Sequence, residues 1–159
     1  MTTSNLERMI RLAEEFFATK KDPTQISVTA EVMERLKQLH PATLTEQDGG
    51  EGPLAWILVI PTTSNLMNRF IAKQINEQEL LDETPQHGTY EAIYLCSALV
   101  LPEQRGKGLA KKLTCQAIES ICINHPIKYL FYWAFSPEGE KLATSVARET
   151  NFPLYKRPE

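Results

Sequence analysis

No apolar run in this sequence is long enough to cross a bilayer. The longest, Leu54 to Ile60, has seven residues, against the roughly 18–20 that a spanning helix needs. Cysteine is scarce. Cys96, Cys115 and Cys122 are odd in number, lack metal-ligand spacing and sit in apolar periodic stretches. They read as buried thiols in a reducing compartment, with no disulfide framework and no metal site. An excess of positive charge is also lacking. Lys and Arg number 17 against 20 Asp and Glu, for a net charge of −3. That excludes a protein that simply coats nucleic acid. The polar N-terminal stretch, with Glu7 and Arg8 in the first turn of an expected helix, lacks the apolar core of a signal peptide. The expected setting is therefore the cytoplasm, without a membrane or a nucleic-acid partner. Internal repeats and low-complexity tracts are absent too.

What is present suits one globular domain. The 159 residues are 42% hydrophobic and 23% charged, enough to bury a core without staples. Leu6, Ile10, Ala13 and Phe17 predict an amphipathic helix over about 4–19. Val32, Leu36 and Leu39 predict a second over 29–39, stopped at His40-Pro41. Asp48-Gly49-Gly50 reads as a turn and Leu54 to Ile60 as a buried strand. Leu66, Phe70, Ile71 and Ile75 predict one helix from Ser64 to about Leu81.

From Tyr90 the period changes to two. Tyr90, Ala92, Tyr94, Cys96, Ala98 and Val100 are expected on one face of a long central strand, and Ile93, Leu95, Leu99 and Leu101 on the other. Leu109, Leu113, Ala117 and Ile121 stripe a helix that ends at His125-Pro126. Ile127 to Phe135 follows as a strand. Ser136-Pro137-Glu138 opens a helix that runs to about Thr150, with Asn151 in the left-handed terminal position. Phe152 to Tyr155 reads as a last short strand. The alternation implies an α/β (or α+β) fold with at least one parallel strand pair.

One stretch carries chemistry: Val100-Leu101-Pro102-Glu103-Gln104-Arg105-Gly106-Lys107-Gly108-Leu109-Ala110. It joins the central strand to a helix. Gly106 and Gly108 remove side chains where backbone amides would be exposed. A helix start offers unpartnered N–H groups and the positive end of the dipole. Arg105, Lys107, Lys111 and Lys112 add four cations within eight residues, against the single acid Glu103. A diphosphate-bearing ligand is the natural guest. The spacing is neither the Walker pattern nor the dinucleotide Gly-x-Gly-x-x-Gly.

Arg105-x-x-Gly108-x-Ala110, after Val-x-Pro on a strand and before an amphipathic helix, resembles motif A of the GNAT-type N-acetyltransferase superfamily. The resemblance extends over about residues 90–152. It implies a mixed central sheet flanked by helices in a single acyltransferase-like domain. Residues 1–89 would be a variable, atypically helical acceptor-side half, and residues 90–152 the acetyl-CoA-binding half. Carried over by position, Arg105, Gly106, Lys107, Gly108, Leu109 and Ala110 would cradle the pyrophosphate of acetyl-CoA, the acyl donor. Leu99, Val100 and Leu101 would align the pantetheine and the acetyl carbonyl through backbone groups. Members splay this strand from the next, with the pantetheine in the gap, and Ser136 falls where many place a polar residue beside the cofactor.

Three departures bear on function. Many members carry a tyrosine, five residues before a Gly-Phe pair, that returns a proton to the CoA thiolate. Here the pair is Asn151-Phe152 and the matching residue is Ala147. Tyr94, Tyr132 or Tyr155 could replace it, and a thiolate can also leave without an acid. Few residues follow Phe152, so the sheet is expected to be shortened, with an edge that favours a homodimer. A helix between Ser64 and Leu81 stands where members place a hairpin, which remodels the acceptor side. A neutral amine acceptor needs a base. Glu91, early on the central strand, is the first candidate because a strand carboxylate acts through water in several members. Glu83 and His87 lie just before it. Residues 74–91 hold five acids (Glu77, Glu79, Asp82, Glu83, Glu91) and no lysine or arginine, a rim that would attract a cationic amine.

Three functions follow as expectations. The first is an acetyl-CoA-dependent N-acetyltransferase acting on a small or peptidic amine by direct attack, since no cysteine has a clear activating partner. The second is a CoA-binding sensor or partner protein without transfer activity. The third is a basic turn serving another phosphate compound or an acidic protein.

Overall fold

The computed structural model describes residues 4–19, 30–133 and 136–158. Its frame is an open mixed sheet of five strands in chain order, β1 (Leu44–Asp48), β2 (Pro53–Thr62), β3 (Ala92–Val100), β4 (Tyr129–Tyr132) and β5 (Leu154–Lys156). The pairs β1–β2 and β2–β3 are antiparallel; β3–β4 and β4–β5 are parallel. Six α-helices surround it: α1 (Asn5–Thr19), α2 (Ala30–Leu39), α3 (Ser64–Ile71), α4 (Glu77–Glu83), α5 (Leu109–Asn124) and α6 (Pro137–Thr150). The α/β class expected from the alternation is what the chain adopts. No helix among the described residues is long and apolar enough to cross a membrane.

β1 was not foreseen, because it carries no apolar alternation. Leu44-Thr45-Glu46-Gln47-Asp48 is an edge strand, partly exposed along its length. Asp48-Gly49-Gly50 is the turn that joins it to β2. Gly49 N donates to Gly52 O at 2.9 Å, and Gly50 N donates to the Asp48 carboxylate at 2.9 Å. A hairpin therefore does precede β3, and the helices lie between β2 and β3.

The single helix expected over Ser64–Leu81 is two. Lys73 takes a left-handed φ of 62°, which ends α3. Asn76 restarts the chain with a capping box. Its side chain accepts from Glu79 N at 2.8 Å, while Glu79 accepts from Asn76 N at 3.1 Å.

The central strand also differs. A bulge in β3 sets Leu58 opposite Ser97 but Val59 opposite Leu95, so Cys96 has no β2 partner. One extra residue reverses the alternation beyond it. Ser97 and Leu99 thus share a face with Tyr94, while Ala98 and Val100 share the face of Leu95, contrary to the expected single register. On the Tyr94 face, Phe70 of α3 lies 4.9 Å from the Tyr94 ring, and Met9 of α1 packs on Leu99 and Leu101. Helices α5 and α6 cover the other face, where Tyr132 bonds Glu140 of α6. α2 closes one end of the sheet. Its Arg35 donates to Leu81 O and Thr84 O, and the His40 ring after it meets Asn124 Oδ1 at 2.8 Å.

On α1 the expected stripe is turned outward. Leu6 and Ile10 are 48% and 42% exposed, and the buried residue is Met9. The side chains of Ala13 and Phe17 lie outside the described residues, as do residue 29 and the end of the expected strand at 134–135. The three cysteines are half-buried rather than buried.

Candidate functional site

β3 and β4 stay in register for four residue pairs, Ala92↔Tyr129 to Leu95↔Tyr132. Then they part. β3 continues through Cys96 to Val100 while β4 ends at Tyr132, so among the described residues the β4-facing edge of that stretch has no strand beside it. A cleft of about 840 Å³ opens there. Both faces of the sheet contribute to it, Ile57 and Val59 from one and Leu58 from the other.

The starts of α5 and α6 stand at this cleft. The turn before α5 has Gly106 at φ 81° and Gly108 at φ 73°, left-handed values that an L-residue adopts only with strain. A Cβ on either glycine would meet nothing within 4 Å. Those glycines are therefore required by backbone shape, not by crowding. Gly108 caps α5 without any side-chain hydrogen bond, and no acid lies in the first turn. The first N–H groups of α5 are left for a ligand. The acid of the turn itself, Glu103, is drawn away. Its carboxylate accepts from Arg8 of α1 at 2.6 Å, and that bond holds its pKa below the usual range. Arg105 Nε donates to Val100 O at 3.1 Å, folding the turn back on the end of β3.

α6 begins differently. Ser136 Oγ accepts from Gly139 N at 3.1 Å, Pro137 fills the first turn, and Glu138 and Glu140 follow. Its dipole is already complemented from within the chain.

The structure brings most of the sequence-chosen cofactor residues together. Leu99 and Val100 line the cleft along β3, and Arg105, Gly106, Gly108, Leu109 and Ala110 line it from the turn. Ser136 lines it from α6. Leu101 is buried and Lys107 exposed; neither lines it.

The sequence-chosen catalytic residues are not brought there. Tyr94 is fully buried, and its hydroxyl donates to Glu77 at 2.5 Å. Burial, reinforced by Glu77, pushes its pKa well up. Glu91 sits at the opposite end of β3, where Ser64 Oγ donates to it at 3.2 Å. Tyr155 is an exposed residue of β5, edge-on to Tyr129 at 5.9 Å. The acids of 74–91 are engaged locally: Glu79 in its capping box, Asp82 with Gln78, Glu83 with Arg69, Glu77 with Tyr94.

The tyrosine that does line the cleft is Tyr132. Its hydroxyl donates to Glu140 Oε1 at 3.2 Å, and burial followed by that bond raises its pKa. It is one of the three tyrosines that the sequence offers as the proton donor. The signal that finds it is its place as the last residue of β4 before the strands part. Trp133 and Cys96 line the cleft beside it. Among the described residues no group of three His, Cys, Asp or Glu side chains is arranged to hold a metal ion. No protein-family model matches the chain, and neither a curated protein nor a solved structure matches it significantly.

Proposed function

We propose that the chain is an acetyl-CoA-dependent N-acetyltransferase with a GNAT-like arrangement, acting on a small amine. The observation that carries this reading is the parting of β3 and β4 beside an uncapped, glycine-opened, cationic helix start. The diphosphate would lie on the N–H groups of Leu109 and Ala110, with Arg105, Lys107, Lys111 and Lys112 around it. The pantetheine would run down the gap along Leu99 and Val100. Unpaired backbone groups of β3 would then face the thioester carbonyl and stabilise charge as it develops on the oxygen. The neutral amine attacks the carbonyl carbon directly and the C–S bond breaks. The nitrogen gives up one proton to water and the leaving thiolate takes one up, so that the proton lost at nitrogen restores the acid that supplies the thiolate. Tyr132, which lines the cleft and whose raised pKa keeps it neutral at physiological pH, would donate the proton that the thiolate takes up.

Calorimetric titration of acetyl-CoA tests this. Wild type should bind at micromolar concentration. Gly108→Glu should lose at least about a hundredfold, because a carboxylate then occupies the anion site. Gly108→Asn controls for backbone strain, since Asn tolerates the left-handed region. A folded wild type that ignores acetyl-CoA would sink the reading.

A second reading is a CoA-binding protein without transfer activity. It is favoured by one observation: Glu91, Tyr94 and Tyr155 all lie off the cleft lining. Acetyl-CoA binding without turnover over an amine panel would select it.

A further inference from the structure

The cleft is electrically uneven across the sheet. Among the described residues, four charged side chains line it: Arg105 and Lys111 at the start of α5, Glu138 at the start of α6, and Glu15 on α1. The first three lie with α5 and α6 on one face. Among the described residues, Glu15 is the charged lining residue on the other face, because α1 packs on the Tyr94 face. The position of α1 is well anchored. Met9 is fully buried against Leu99 and Leu101, and Arg8 pairs with Glu103 at 2.6 Å. Glu15 lies roughly 10 Å further along the helix axis than Arg8, at 1.5 Å per residue, and Leu12 lines the cleft one turn before it. Lys111 is paired with Glu149 at 3.6 Å. Glu15 makes no hydrogen bond or ion pair with any described residue. A cleft lined from both faces of a sheet, with cations at the start of α5 and the Glu15 carboxylate on the opposite face, suits a phosphate-bearing donor at the first end and a cation at the second.

This rests on the acyltransferase reading, and it sharpens the acceptor. The nitrogen that attacks must be neutral, since an ammonium has no lone pair. A nitrogen held by Glu15 as an ammonium is therefore not the nucleophile. We infer that Glu15 recognises a second cationic group, so that the acceptor is a linear aliphatic diamine acetylated at the end away from α1. The acids of 74–91, engaged within α3, α4 and β3, have no part in this recognition.

The test compares α,ω-diamines of three to six carbons with monoalkylamines of the same heavy-atom count, using the full chain and acetyl-CoA. For wild type, kcat/KM should favour the best diamine over its matched monoamine by about fivefold, chiefly through KM, as expected for an exposed charge pair. Glu15→Gln should bring that ratio close to one, and Glu15→Lys should invert it. Glu138→Gln should leave the ratio as it was. Thermal melts of each variant check the fold, and calorimetry checks that acetyl-CoA still binds. A diamine preference that survives Glu15→Gln, or no preference at any length, overturns the inference while leaving the acyltransferase reading intact. Acetyl-CoA binding with no turnover of any amine overturns the amine acceptor itself. Absence of acetyl-CoA binding by folded wild type removes the parent reading, and Glu15 falls with it.

Discussion

Two helices start within one cleft, yet they start in opposite ways. α6 is finished by its own sequence: a serine cap, a proline, and acids in the first turn. α5 is left unfinished: glycines with left-handed φ, no side-chain cap, and cations instead of acids. Finishing a helix start stabilises the fold; leaving one open forgoes that stability and keeps N–H groups for an anion. On the proposed reading, the contrast sets a structural helix start beside a binding one.

The largest test of this contrast is charge reversal at the open end. Arg105→Glu with Lys111→Glu should weaken acetyl-CoA by at least about a hundredfold while the thermal midpoint moves little, because Arg105 is exposed and the Lys111 side chain, half-buried, makes only a surface ion pair with Glu149. Equal affinity for variant and wild type would mean that the open end is not the anion site. Next comes chemistry at the parting of the strands. Tyr132→Phe should lower kcat by about a hundredfold with the acetyl-CoA dissociation constant nearly unchanged, as for loss of a general acid. A larger loss in binding than in kcat would make Tyr132 a packing residue.

The closed end should respond in the other currency, stability. Ser136→Ala removes the cap and should cost about 1 kcal/mol in chemical denaturation, with less than about threefold change in acetyl-CoA affinity. If affinity falls more than stability, the two helix starts share the ligand. The smallest effect lies at the far end of α5. His125 Nδ1 accepts from Tyr90 N at 3.3 Å, and burial, with His40 nearby, lowers its pKa. The unfolded chain then holds more protons just below the ordinary histidine value of about 6.5. The stability this group contributes is full above that value and is lost as pH falls through the lower folded value. His125→Asn should flatten that part of the denaturation profile, and an unchanged profile would remove His125 as its source.

The sequence exposed what local chemistry writes. Ser136-Pro137-Glu138 and the Asn151 terminus are legible because a cap is decided by neighbours in the chain, and Asn151 does sit at φ 62°. The cationic glycine turn is legible for the same reason. Other features depend on partners. β1 is polar, so only its pairing with β2 makes it a strand. The break between α3 and α4 hid inside a continuing apolar period, although Asn76-x-x-Glu79 was there to be read as a capping box. The bulge at Cys96 left no trace, because β3 is apolar on both faces and a reversed alternation looks the same as an unbroken one. Tyr94, Tyr132 and Tyr155 likewise stand level as proton donors in the sequence. Which tyrosine reaches the cleft depends on where two distant strands separate, and no local pattern records it.

The order of strand pairing also bears on how the molecule comes together. Only β1 and β2 meet across a short turn. β2 reaches β3 across residues 63–91, and β3 reaches β4 across α5. Contacts distant in sequence form late, since the chain must first surrender the freedom of the intervening loop. The seam between β3 and β4, whose parting makes the cleft, therefore belongs to the late steps of folding. Refolding followed by ligand capture should lag behind refolding followed by helix signal, and a chain stalled short of the native state would hold its hairpin and helices but no cleft.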